Sequence, residues 1–256
     1  MLSSPIACFT FDNMGEAADV GAGRLDAPLP AGTEPSLAVG YPALFALLER
    51  HGVRATFFIE GWNGVHHPAA VREIVARGHE LGMHGWTHEA WSGLDAARER
   101  ALAVQATEAL AAAAGVRPRG FRAPGGARGV HTEALLVELG YAYDASLGDG
   151  MTPRRLDSGL AQIPFVWPSV DGFHYLSATP AEPAAVRDAW LKALRKAVAR
   201  DALFVTVCHA FLTGIDADRL AALGAVMREA QALGVEILTV GEAAQHLAMS
   251  DEARKR

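Results

Sequence analysis

The chain has 256 residues, of which half are apolar and a fifth charged, and its 23 Lys and Arg against 29 Asp and Glu give a formal charge of -6. Acids and bases are interspersed, which leaves no basic stripe for nucleic acid or anionic lipid. No run approaches the ~20 apolar residues that span a bilayer, and the segment MLSSPIACFTFD runs into a strand without a basic flank. The expectation is a globular, cytoplasmic, single domain over residues 1–256, with no nucleic-acid or membrane partner.

In chain order, short runs rich in β-branched and aromatic residues fall at 6–11, 53–59, 79–83, 119–123, 141–145, 161–166, 202–208 and 235–240. Helical spacing of apolar residues predicts helices over 42–51, 68–77, 94–114, 131–139, 183–200, 217–233 and 241–249. Pro42, Pro68 and Pro183 stand at helix starts, where a missing N–H costs nothing, and Gly52, Gly78, Gly115, Gly140 and Gly234 follow helix ends as left-handed caps. This alternation predicts an α/β fold, a distorted (β/α) barrel with about seven parallel strands. An open doubly wound sheet is the alternative, but DNMGEAADVGAG lacks the glycine fingerprint opening onto a helix. Long connections at 13–40 and 148–182 interrupt the rhythm, and such loops are commonly functional.

In parallel barrels the reactive groups gather at the carboxyl ends of the strands. Asp12, His84, Arg122, Asp144 and His209 each stand at such an end. His84 and His88, spaced i to i+4 in MHGWTHE, would face one side of a helical turn and could chelate a divalent cation, most naturally zinc. Asp12 ends an apolar strand, where a carboxylate needs a partner; Arg122 could hold it through a two-pronged hydrogen bond. A glycine N–H in the APGG turn, 123–126, could face an oxyanion. His209 suits a general acid, with Asp144 as the carboxylate that tunes it. Trp86, Trp167 and His174 lie in loops near the expected mouth as tentative substrate contacts. Cys8 and Cys208 read as buried reduced thiols, since alternation turns Cys208 away from the side His209 faces.

The segments FTFDN, GHELGMHGWTHE, GFRAPGG, GYAYDASL and VTVCHAF, in that order, resemble the successive motifs of the polysaccharide deacetylases, the NodB-homology or carbohydrate esterase family 4 group. The resemblance implies a NodB-like barrel and metal-dependent hydrolysis of an N-acyl amide, commonly the acetamide of an N-acetylated sugar. By motif, Asp12 matches the general base, His84 and His88 the metal ligands, Arg122 the residue steering the base, Gly125 the oxyanion donor and His209 the acid. Zinc is the leading metal, with nickel, cobalt, manganese or iron as alternatives. The downstream segments are closer to the intracellular allantoinase-like and cyclic-imidase-like branch, so the expected substrate is a small-molecule or oligosaccharide N-acyl compound, with a ureide or cyclic imide as the alternative. One position departs from the pattern: Asn13 stands where the family has a metal-binding aspartate. Asn13 itself, Asp12, or Glu16 and Asp19 from the same loop are the candidate third ligands, and a barrel that binds without turnover is a further alternative.

Overall fold

The computed structural model describes residues 4–30 and 32–254. Among the described residues nine strands form one sheet: β1 (Ile6–Asp12), β2 (Thr56–Ile59), β3 (Glu80–Met83), β4 (Gly120–Phe121), β5 (Tyr143–Asp144), β6 (Arg154–Arg155), β7 (Ala161–Gln162), β8 (Leu203–His209) and β9 (Glu236–Ile237). Their order is β6-β7-β5-β4-β3-β2-β1-β8, with β9 pairing the start of β1, and every pairing is parallel except β6 with β7. The sheet curls into a partial barrel. Its seam is crossed by a single isolated parallel bridge, Val170 to Val207.

Alternation along the strands sorts the buried residues into two cores. Ala7, Phe9 and Phe11 of β1 and Phe57 and Ile59 of β2 join the core packed by the helices. Ile6 and Cys8 of β1 join Phe58, Tyr143, Phe165, Val205 and Val207 in the barrel interior, together with Val240 and Ala244 of the closing helix Val240–Arg254. The interior is filled by aromatic rings because neighbouring strands yield space: a Cβ on Gly120 would sit 2.0 Å from the Tyr143 ring. All seven residues of β1 are buried, as a strand sandwiched between two apolar layers must be.

The expected helices are present with ends shifted by a few residues, for example Tyr41–His51, Ala96–Ala114 and Pro183–Val198. Composition did not reveal the short turns inside the long connections: helices Gly61–His66 and Asp171–Tyr175, the π-helical turns Ser36–Gly40 and Ala210–Gly214, and the β6 hairpin. Segments of two to six residues are too short to show a period. No helix among the described residues is long and apolar enough to cross a membrane.

Candidate active site

The carboxyl ends of β1, β3, β4 and β8 meet at one mouth, and the register explains how. Asp12 and His209 are directly paired across β1 and β8. The strand-end hydrogen bonds His84 N to Ile59 O and Arg122 N to Met83 O stack the next two ends alongside. Of the strand-end residues, Asp12, His84 and His209 line one cavity of ≈ 240 Å³, together with His88 and Gly125, while Arg122 and Asp144 are not in its lining.

The Asp12 side is a fully buried polar network. Arg122, 1% exposed, donates from Nη1 to Asp12 Oδ1 at 2.6 Å and to Thr10 Oγ1 at 2.8 Å, and from Nε to Ala145 O at 2.9 Å. Its guanidinium lies 4.2 Å above the Phe58 ring. The grip on Asp12 is therefore one-pronged, not two-pronged, because Nε is committed to the backbone of the next strand. That leaves Asp12 Oδ2 turned toward His84, 4.0 Å from Nε2.

His84 Nδ1 lies 2.9 Å from the Arg122 carbonyl, which can only accept, so Nδ1 carries the proton and Nε2 presents its lone pair to the cavity. Burial drives the His84 pKa down to about 3 and that of His88 in the same direction, against the pull of Asp12, so both rings stay neutral. Their centroids are 5.0 Å apart. They do not share a helical turn: residues 84–88 form a tight non-helical turn in which Gly85 and His88 take positive φ of 75° and 69°. A side chain at Gly85 would lie 2.8 Å from Pro124 Cγ and 2.9 Å from Glu89 Oε2. Glu89 holds the turn shut, accepting from Trp86 N at 3.0 Å, Thr87 N at 2.9 Å and Thr87 Oγ1 at 3.0 Å. The glutamate directly after the second histidine was readable as a turn anchor, but the helical reading hid it.

Asn13 is not among the residues that line the cavity. Its backbone is left-handed, at φ 65°, and its Nδ2 donates to the buried carboxyl of Glu60, which also accepts from Met14 N at 3.1 Å and Asn63 Nδ2 at 3.0 Å. Burial lifts the Glu60 pKa to about 8. Of the other candidate third ligands, Asp12 keeps Oδ2 toward His84, while Glu16 is engaged with His67 Nε2 at 3.0 Å and Leu29 N at 2.8 Å and Asp19 with Arg24. Among the described residues no three His, Cys, Asp or Glu side chains are arranged to hold a metal ion.

His209 is tuned by Asp171, not by Asp144. Asp171, buried at the start of the helix Asp171–Tyr175, lies with Oδ1 2.5 Å from His209 Nδ1, and its Oδ2 accepts from His209 N at 2.8 Å and Thr213 Oγ1 at 2.6 Å. Burial disfavours the charged ring, but the Asp171 carboxylate, with help from Asp12, outweighs it and raises the His209 pKa. Asp144 fails for a geometric reason: its neighbours Tyr143 and Ala145 point into the barrel, so alternation turns Asp144 to the other face. There it accepts from Ser146 Oγ at 2.5 Å and pairs with Arg128 at 3.3 Å, while Ser146 Oγ accepts from Ala123 N at 2.9 Å. Asp144 thus braces the turn that carries Gly125. The signal for Asp171 was a carboxylate inside the apolar run FVWPSVDGFHYL, 38 residues from its partner, with no local spacing to betray it.

Of the tentative substrate contacts, Trp167 lines the cavity. Trp86 packs instead against the helix Gly61–His66, and His174 Nε2 is 2.9 Å from Pro168 O on the outer surface. Cys208 is buried in the core beneath the helices, where burial pushes its thiol pKa up and keeps it protonated.

Residues 6–143 match the family model described as polysaccharide deacetylase. A peptidoglycan deacetylase of Helicobacter pylori is 32% identical over 109 residues, 43% of this chain and 37% of the relative. Chitin deacetylase 1 of Saccharomyces cerevisiae is 34% identical over 99 residues, 39% of this chain and 33% of the relative. The chain thus aligns with about a third of these relatives' length. A solved structure of a candidate polysaccharide deacetylase from Mycobacterium smegmatis is 29% identical, covers 98% of this chain and 96% of its own, and superposes with a TM-score of 0.85. The PuuE allantoinase, 22% identical over 94% of this chain and 89% of its own with a TM-score of 0.81, shares the fold.

Proposed function

Because the chain belongs to the polysaccharide deacetylase family, whose deacetylases hydrolyse carbon–nitrogen bonds outside peptides, we propose that it cleaves the C–N bond of a small N-acyl compound in this cavity. The observation that carries the reading is the pairing of opposites across one register: Asp12, a carboxylate, faces His209, an imidazole whose pKa is raised by Asp171. A carboxylate and an imidazole set side by side at one mouth suit base and acid roles.

The donor chemistry of His84 and His88 fits a divalent metal, zinc before nickel, cobalt, manganese or iron, because both rings are neutral and His84 offers Nε2. Asn13 is tied through Nδ2 to Glu60, so Oδ1 is the atom it has left to offer such an ion. When bound, such an ion supplies Lewis acidity to the acyl oxygen. Asp12, held at Oδ1 by Arg122, keeps Oδ2 free to take a proton from the attacking water. The Gly125 N–H lies on the same cavity wall and would face the developing oxyanion. His209, protonated on the side away from Asp171, delivers a proton to the departing nitrogen. The peptidoglycan and chitin deacetylases among its relatives support an N-acetylated sugar as substrate; a cyclic imide or ureide is a second reading, favoured by the small cavity, which falls below the ~300–1,000 Å³ of ordinary ligand pockets.

Acetate or ring-opening assays on the purified protein, with elemental analysis of wild type and His84→Ala, test this. Turnover with metal that is lost in His84→Ala is expected. Metal-free wild type that still turns over would remove the ion from the mechanism, and absence of turnover with metal present would favour a binding barrel.

A further inference from the structure

Resting on the amide-hydrolase reading, we propose that the group on the leaving nitrogen is an apolar ring, not a hydroxyl-bearing sugar. The cavity has two unlike walls. Beside the reacting side chains the cavity is lined by Phe165, Trp167, Val170, Phe173, Leu176 and Val207, and the remaining lining residues are Ala123 and glycines. Apart from Asp12, His84, His88 and His209, no lining residue carries a polar side chain other than the Trp167 indole. A hexosamine seated there would lose water from its hydroxyls and find no partners for them, whereas a carbocycle would lose nothing.

The apolar wall also lies on the leaving side of the bond. His209, which hands its proton to nitrogen, borders the helix Asp171–Tyr175: a Cβ on Gly172 would be 4.0 Å from His209 Cε1 and 3.6 Å from Leu176 Cδ1. The exposed Phe211 ring stands 5.2 Å from the His209 ring. Trp167, Phe173 and Leu176 are 42%, 52% and 65% exposed, so the wall continues outward as an apolar rim around the reacting groups. In the reaction, water gives its hydroxyl to the acyl carbon and its proton to Asp12, His209 gives its proton to nitrogen as the C–N bond breaks, and a carboxylate and an apolar amine leave as the proton on Asp12 returns to His209 through solvent.

N-cyclohexylacetamide and N-acetylglucosamine share the acetyl group and ring size, and the first has the more basic, poorer leaving amine, so intrinsic reactivity works against the proposal. The expected result is a preference for the cyclohexyl amide of about tenfold or more in kcat/KM, the usual discrimination by an apolar pocket. Phe173→Ser and Leu176→Ser, at exposed positions that spare the fold, should each raise KM for the cyclohexyl amide several-fold, and by more than for the sugar amide. Equal or better cleavage of the sugar, or no effect of either variant, would overturn it. If neither amide is cleaved, the hydrolytic reading fails, and calorimetric binding of the two amides still decides the preference: tighter cyclohexyl binding weakened by Phe173→Ser supports it, equal or absent binding refutes it.

Discussion

The two walls of the cavity are built on opposite terms. The polar wall, from β1, β3 and β4, ties its side chains to neighbouring strand ends: Arg122 to Ala145 O, His84 to the Arg122 carbonyl, Asp12 to Arg122. The apolar wall, from residues 165–176, stands on two short helical turns and exposes its largest side chains. Chemistry that needs fixed distances sits on the sheet, and selection among substrates sits on the segment that can change without disturbing it.

One residue belongs to both walls, and altering it has the largest expected effect. Asp171→Asn keeps the shape but removes the charge and sets an amide N–H against the His209 or Thr213 donors. The rate should fall by about 10²-fold or more, the range of general acid catalysis. The pH profile carries the sharper signature. His209 acts while protonated, so activity is present below its folded pKa and lost as pH rises through it; because Asp171 raises that pKa, the variant's alkaline limb should move to lower pH. An unmoved limb would show that His209 is not the acid.

Breaking the polar wall alone should be a matter of stability. Arg122→Met strips the partner from buried Asp12 and should cost about 3–5 kcal/mol in urea unfolding, the usual penalty for halving a buried ion pair. A loss below ~1 kcal/mol would mean that Asp12 takes up a proton or water at little cost. Glu89→Ala loosens the turn carrying His88, and zinc affinity should fall about tenfold, as when a group supporting a ligand is removed. The smallest effect belongs to the apolar wall: Trp167→Ala should raise KM a few-fold with kcat intact, while Trp86→Phe, away from the cavity, should change neither.

The sequence made the strand ends legible because fully buried strands leave apolar runs whose terminal polar residue stands out, as Asp12 and His209 do. The alternation rule that turned Cys208 away from the site applies equally to YAYDA, where it turns Asp144 away. Asp171 was out of reach because its partner is far along the chain, and the turn at 84–88 because i to i+4 spacing fits a helix as well as a glycine-dependent reversal. Asn13 announced a changed site, but only the fold reveals that its amide serves Glu60.

The seam of the barrel gives this arrangement an order of assembly. Val170 bridges to Val207, one residue before Asp171 and two before His209. Closing the cylinder and delivering the carboxylate to the imidazole are therefore one event, and the acid is completed only when the last gap in the sheet is bridged. Any breathing of that gap would disarm the acid and open the apolar wall together, while the Asp12 and His84 side stayed intact.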